Sequence, residues 1–163
     1  MTMSNEERGY LVARYRDGAA VFEAAMVGVT EAELDAHPIE GEWSVREIAH
    51  HVGDGELNAA VRLRRLIAED EPLLPGYDEM AFSRLLHYPQ RPIATSVAAM
   101  AAARASTLTI LERLTDAEWA RTGTHSEQGS YGVEAWLRDY AHHPWDHAEQ
   151  AQRVLAAVRA SVG

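Results

Sequence analysis

Apolar residues recur at intervals of three and four over most of the chain, which is the spacing that places them on one face of an α-helix. The pattern predicts four long helices, from Glu6 to about Val27, from Ser44 to about Ala68, from Ile93 to Leu114, and from Ser130 to about Val158. No stretch alternates apolar and polar residues as a half-buried β-strand does. We therefore predict an all-α four-helix bundle without a sheet, built as one domain of residues 1–163.

Capping motifs support several of these boundaries. In a capping box, a Ser or Thr is followed three residues later by Glu, and the side chain of each accepts a hydrogen bond from the backbone amide of the other. Such boxes begin at Thr30, Ser44 and Thr115. Asp78 is a further candidate N-cap, for a short helix that ends near Leu86. The stretch 121–129 is predicted to be a loop, with Ser130 as the N-cap of the last helix.

The composition narrows the chemistry that such a bundle can carry. Cysteine is absent, which excludes disulfides, thiolate nucleophiles, zinc fingers and iron–sulfur clusters, so a bound metal must use histidine, carboxylate or water. The formal net charge of −10 argues against nucleic acid and anionic membranes as partners. The basic cluster Arg62, Arg64 and Arg65 is interpreted as a solvated helix face, because acidic residues 69–71 follow it.

Two further features bear on location. No segment approaches the roughly 18 uninterrupted apolar residues that are needed to cross a bilayer. The first eight residues are polar and acidic, unlike a secretory signal. We therefore expect a cytoplasmic protein.

Histidines are concentrated in the last helix and at the start of the second. His143 and His147 are four residues apart, so on a helix their imidazoles lie one turn apart on the same face, as two ligands of one metal do. A third ligand should come from another apolar helix, and the adjacent pair His50 and His51 offers one. A single histidine beside an apolar stripe is more often a hydrogen-bonded core residue, but the joint occurrence favours a metal site.

Pro144 lies inside this histidine pair and is unusual in a helix. An interior proline lacks the amide hydrogen and clashes with the carbonyl four residues back, here that of Tyr140. The sequence predicts either a kink near Tyr140 that directs His143 towards the site, or a division that places His143 and His147 on separate helical pieces.

The two histidine segments, Trp43-Ser-Val-Arg-Glu-Ile-Ala-His-His-Val-Gly-Asp54 and His143-Pro-Trp-Asp-His-Ala-Glu-Gln150, resemble those of the DinB-like family, also called YfiT-like metal-dependent hydrolases. The resemblance covers almost the whole chain and implies a four-helix bundle with a three-histidine metal site. It maps the ligands to His51, His143 and His147. Pro144 departs from the family pattern. The family includes metal-dependent thiol S-transferases, hydrolases and members of unknown activity.

A three-histidine site leaves coordination positions open, as in catalytic metal centres. Zinc and nickel both suit imidazole ligands. The leading hypothesis is a metal-dependent thiol S-transferase or hydrolase acting on a small electrophile, with a low-molecular-weight thiol as a candidate cosubstrate and a homodimer as the expected assembly. The alternatives are a di-iron carboxylate bundle, based on Glu47-x-x-His50 and Asp139-x-x-His142, and a non-catalytic metal- or ligand-binding bundle.

Several neighbours are candidates for the pocket or for hydrogen bonds to the ligands. Trp43 and Trp145 lie close in sequence to the histidines, as packing residues or pocket walls, and Asp54 either orients a ligand histidine or pairs with an arginine. His125, in the predicted loop, is either solvated or lines the mouth of the site. His50 and His142 are expected to face elsewhere, at the surface or beside the ligands, with His142 pairing with Asp146.

Overall fold

The structure, a computed structural model, describes residues 3–162 and is built mainly of helices. The helices in chain order are α1 (Asn5–Met26), α2 (Glu31–Asp35), α3 (Val45–Ala68), α4 (Glu79–Leu85), α5 (Ile93–Leu111), α6 (Asp116–Trp119) and α7 (Val133–Val162), with a 3₁₀ turn at Tyr88–Gln90. The four long helices form the bundle, in which α1 and α3 each pack against both α5 and α7. The predicted four-helix architecture is confirmed.

The capping motifs place the helix starts where the sequence predicts them. Complete capping boxes are present at Thr30, Ser44 and Thr115, where the carboxylate of the Glu three residues on accepts a hydrogen bond from the backbone amide of the cap residue. The Asp78 carboxylate accepts from the amide of Ala81 and begins α4. These signals are local, because each joins residues only three positions apart.

A small sheet was not predicted, and the expectation of no strands is wrong. The strands are β1 (Leu73–Leu74), β2 (Thr122–His125) and β3 (Gly129–Gly132), with β1 parallel and β3 antiparallel to β2. The predicted loop therefore contains β2, and Ser130 pairs with Thr124 instead of capping α7, which begins at Val133. Gly129 takes the positive φ of 74° that glycine adopts most readily. Strands of two to four residues are too short to show alternation in the sequence.

A polar layer divides the bundle interior into two apolar clusters. One cluster surrounds Trp136 and Leu63, and the other surrounds Phe22 and Ile48. On each long helix, the residues between the two clusters include a small or polar side chain, namely Gly18 on α1, Glu56 on α3, Arg104 on α5, and His143 and His147 on α7. The candidate metal ligands thus lie at the middle of the bundle.

Helix α5 is apolar and rich in alanine, with a mean hydropathy of 1.3 over its most apolar window. By length and composition alone it could cross a membrane. The helix nevertheless packs against α3 and α1, and its Arg104 is buried in an ion pair with Glu56. The buried residues of α5 are Ser96, Met100, Arg104, Thr107 and Leu111, so its alanines are only partly buried or exposed.

Candidate metal centre

Three histidines from α3 and α7 converge at the polar layer. The Nε2 atoms of His51 and His143 are 3.3 Å apart, and one ring nitrogen from each of His51, His143 and His147 lies within 4.8 Å of the others. Two imidazoles bound to a tetrahedral metal at about 2.0–2.1 Å have nitrogens about 3.3 Å apart. The first pair already has this separation, and a ring nitrogen of His147 lies within 4.8 Å of both, so the donor set fits a divalent metal.

The outer nitrogens of two of these rings have defined surroundings. His147 Nδ1 lies 2.8 Å from Oε1 of Gln150. An amide oxygen only accepts hydrogen bonds, so this contact puts the proton on Nδ1 and leaves the Nε2 lone pair free for a metal. His143 Nδ1 is buried without a hydrogen-bond partner among residues 3–162, and Oε1 of Glu56 is 3.7 Å away. With a metal bound to Nε2, the proton of the neutral His143 ring would be on Nδ1, where the carboxylate of Glu56 is the nearest acceptor.

Glu56 is itself held by a fully buried network. Its carboxylate forms an ion pair with Arg104 and accepts a hydrogen bond from the Tyr15 hydroxyl at 3.4 Å. Arg104 also donates twice to the Tyr15 carbonyl, at 3.1 and 2.6 Å, and stacks over the Tyr15 ring at 3.7 Å. Buried charges are costly unless they are paired and hydrogen-bonded, and here both conditions are met.

The same arginine explains how α7 tolerates Pro144. The helix is continuous from Val133 to Val162, so the predicted division into two pieces does not occur. Pro144 cannot donate to the Tyr140 carbonyl, and Arg104 Nη1 donates to that oxygen instead, at 3.1 Å. Gly18 leaves the necessary space, because a Cβ there would lie 2.9 Å from Arg104 Nη2 and 3.3 Å from Pro144 Cγ.

Burial keeps the clustered imidazoles neutral. Loss of solvent, followed by the neighbouring His147 and His143, lowers the pKa of His51 from 6.5 to about 3. Loss of solvent, followed by His143, lowers the pKa of His147 to about 4. Both rings are therefore unprotonated at neutral pH, which is the state that binds a metal.

These depressed values predict that the metal-free protein loses stability in mild acid. The unfolded chain takes up protons near the ordinary histidine pKa of 6.5, whereas the folded sites take them up only near pH 4 and 3. Stability is therefore complete above about pH 6.5 and falls as the pH drops. We expect a loss of roughly 2–4 kcal/mol between pH 7 and pH 5, measured by urea unfolding.

The matched control for this effect is the double variant His51→Gln with His147→Gln, which should show a smaller loss. Some pH dependence should remain, because burial also lowers the pKa of His50 and of His125. Equal losses in the wild type and the double variant would contradict the assignment of the effect to these two rings.

Among the residues predicted to lie beside the ligands, Trp43 packs against the three-histidine cluster, whereas Asp54 and Trp145 have other partners. The Trp43 ring lies 4.7 Å from that of His51. Asp54 accepts from the Tyr88 hydroxyl at 2.7 Å and lies 3.5 Å from Nη1 of Arg91, so it pairs with an arginine rather than orienting a ligand. Trp145 faces α1, where its Nε1 donates to the Arg14 carbonyl at 3.1 Å.

The two histidines adjacent to the candidate ligands have other partners. His50 is fully buried, so the prediction that it could lie at the surface is wrong. Its two ring nitrogens contact the Ser96 hydroxyl at 2.8 Å and the Arg91 carbonyl at 3.0 Å. His142 Nδ1 accepts a hydrogen bond from Arg14 Nε at 2.7 Å. His142 therefore pairs with Arg14 and not, as predicted, with Asp146.

The di-iron alternative has no support in the geometry. Its motif residues are engaged elsewhere: Glu47 caps α3, and Asp139 accepts from Tyr131. Within residues 3–162, His51, His143 and His147 are the one group of three or more suitable side chains that is close enough to share an ion.

His125 belongs to β2 and is not solvated, because only 3% of its surface is exposed. It lines a cavity of about 280 Å³ whose wall also includes His143. The alternative that placed it at the mouth of the site agrees with this position.

Sequence reasoning missed the network beneath His143. Glu56 and Arg104 are 48 residues apart, and neither belongs to a recognised motif. The available signal was Arg104, the one charged residue of α5, facing a single buried acidic residue of α3, Glu56. Opposite charges on two buried helix faces indicate a buried pair.

The sequence matches known proteins over most of its length. A model of the DinB superfamily matches residues 14–151. A protein of Oceanobacillus iheyensis, provisionally named a metal-dependent hydrolase, is 30% identical over 122 residues, which cover 75% of this chain and 70% of that protein. A protein of Halalkalibacterium halodurans with the same provisional name is 28% identical over 136 residues, which cover 83% of this chain and 79% of that one.

Solved structures share the fold at lower identity. YfiT from Bacillus subtilis, a four-helix bundle of unusual topology, superposes with a TM-score of 0.88 at 24% identity, covering 94% of this chain and 88% of YfiT. A mycothiol-dependent maleylpyruvate isomerase superposes with a TM-score of 0.69 at 16% identity, covering 91% of this chain and 62% of the isomerase. These likenesses establish the bundle architecture.

Proposed function

The chain belongs to the DinB superfamily, and on that premise we propose that it is a metal-dependent enzyme, a hydrolase of a small electrophilic substrate. In this proposal His51, His143 and His147 are the metal ligands. The observation that carries it is the convergence of three imidazoles from two helices beside a cavity, with no fourth protein ligand among residues 3–162. An incomplete ligand set is typical of catalytic metal sites, because it leaves room for water and substrate.

The residues of the chain have distinct tasks in this mechanism. A divalent metal supplies Lewis acidity and lowers the pKa of a water or thiol that it binds. Gln150 holds His147 with Nδ1 protonated, and Glu56 offers a carboxylate to Nδ1 of His143. Trp43 packs its ring against that of His51. Together these contacts hold three nitrogen donors in place before a metal arrives.

Thiol transfer is the second candidate, with a low-molecular-weight thiol as cosubstrate. It needs the same metal centre, which would hold the thiol as thiolate. The observation that favours it is the fold shared with a mycothiol-dependent maleylpyruvate isomerase. Zinc or nickel as the metal, a homodimer, a cytoplasmic location and the absence of nucleic-acid and membrane partners stay predictions from the sequence.

The proposal predicts that activity requires one divalent ion per chain. Protein purified without added metal would be analysed for bound metal and then assayed with activated esters and amides, and with thiols paired with electrophilic aryl halides. We expect chelation to abolish activity, zinc or nickel to restore it, and the rate to rise with pH as water or thiol deprotonates.

The two kinds of assay distinguish the hydrolase from the thiol transferase. Turnover of esters or amides without added thiol supports the hydrolase, and turnover only with thiol supports the transferase. Activity that survives complete removal of metal would refute both.

A further inference from the structure

The cavity beside His143 has a size suited to a small molecule. Its volume is about 280 Å³, and it lies between α3, α7 and the end of the sheet, with Arg62, His125 and Tyr140 in its wall. A ligand here would lie next to a candidate metal ligand. The polarity of the wall therefore bears on which molecules the centre accepts.

One part of this wall presents hydrogen-bond donors. His125 Nδ1 accepts from the backbone amide of Glu127 at 3.3 Å, so the proton of the neutral ring is on Nε2. That N–H has no acceptor within hydrogen-bond distance among residues 3–162, although the side chain is almost fully buried. Burial, followed by the positive charge of Arg62, lowers the pKa of His125, so the ring stays neutral at pH 7.

Two tyrosines add donors to the same wall. Arg62 Nη1 donates to the Tyr140 hydroxyl oxygen at 2.7 Å, which leaves the Tyr140 proton free to be donated. The hydroxyl of Tyr77 also lacks a hydrogen-bond partner within residues 3–162. Burial raises the pKa of both phenols, so both remain protonated. Three free donors in one wall suit a carbonyl or carboxylate oxygen.

The outer part of the cavity is lined mainly by negatively charged acceptors instead of donors. Three exposed carboxylates line it, from Glu79, Glu127 and Asp139, against the single guanidinium of Arg62. Both terminal nitrogens of Arg62 are already engaged, with Tyr140 and with the Pro75 carbonyl at 2.6 Å. The rim is therefore negative overall and suits a cationic group.

We propose that this cavity binds a small zwitterionic substrate, with a carbonyl or carboxylate oxygen on the donors of His125 and the two tyrosines, and with an ammonium group at the rim carboxylates. The inference rests on the proposed function, because it takes the three histidines to hold a metal beside this cavity, whose wall includes His143. It adds the charge pattern of the substrate.

Three hydroxamates of equal chain length test this charge pattern. Hydroxamates bind metals, so each probe anchors at the centre and places its far end at the rim: butanehydroxamate is neutral there, 4-aminobutanehydroxamate is cationic, and succinate monohydroxamate is anionic. Dissociation constants would be measured on Co²⁺-loaded protein from the change in its visible absorption. We expect the amine probe to bind at least about fivefold more tightly than the neutral one, and the acid probe more weakly by a similar factor.

Variants assign the preference to the cavity. Asp139→Asn combined with Glu127→Gln should remove the preference for the amine and leave the neutral probe within about twofold. Glu149→Gln, an exposed acidic residue of α7 outside the cavity, is the matched control and should retain the preference. His125→Leu should weaken all three probes by about fivefold, and His125→Gln, which keeps an N–H donor, should restore most of that loss.

The outcomes separate this inference from the function on which it rests. Equal binding of the three probes, or tighter binding of the acid, would overturn the zwitterion proposal while leaving the metal site intact. Failure of the wild type to bind Co²⁺ would overturn the proposed function, and the inference with it.

Discussion

Replacing His51, His143 or His147 with Ala should lower the affinity for zinc or nickel by orders of magnitude. Each change removes one of only three nitrogen donors, and Nε2 of His51 and of His143 are already at a metal-compatible 3.3 Å. Stability should follow affinity, because a metal binds the folded chain preferentially. At a metal concentration about 100-fold above the dissociation constant, the wild type should gain roughly 2.7 kcal/mol, and the variants should lose most of this gain.

Calorimetric titration with metal and urea unfolding, each with and without metal, measure the two effects. His142→Gln is the matched control, because His142 neighbours a candidate ligand but hydrogen-bonds Arg14 instead. His50→Gln tests the other adjacent histidine; it should keep metal affinity and lose stability, since His50 bonds Ser96 in the core. Wild-type metal binding by all three Ala variants would show that the cluster is a set of core histidines.

Replacing Arg104 with Met should destabilise the metal-free protein by about 3–5 kcal/mol. The change leaves the carboxylate of Glu56 buried without its cation, and it leaves the carbonyl of Tyr140 without a donor. Adding Glu56→Gln should recover part of the loss, because no unpaired charge then remains in the core. Urea unfolding at pH 7 in the presence of chelator measures both variants.

A double-mutant cycle of Arg104→Met with Pro144→Ala isolates the role of Pro144. In Pro144→Ala the backbone amide returns and can donate to Tyr140, so Arg104→Met should cost about 1 kcal/mol less in that background than in the wild type. Equal costs in the two backgrounds would mean that Arg104 does not substitute for the missing amide.

Features that depend on neighbours in sequence were predictable without a structure. The capping boxes at Thr30, Ser44 and Thr115 join residues three apart, and the helix periodicity repeats over one or two turns. The pairing of His143 with His147 follows from the same repeat, because one helical turn brings both rings to one face. Only the choice of His51 over His50 needed the family resemblance.

Features that depend on distant segments were decided by the tertiary structure. The sheet joins β1 to β2 across some 50 residues, and strands so short carry no pattern of their own. Arg104 reaches Glu56 and the carbonyl of Tyr140 only because α5, α3 and α7 pack together around Gly18. The sequence by itself determined the helices and the histidine pair, through contacts of three and four residues. Packing between helices decided the polar layer that supports the pair, because its energy comes from groups that are adjacent only after folding.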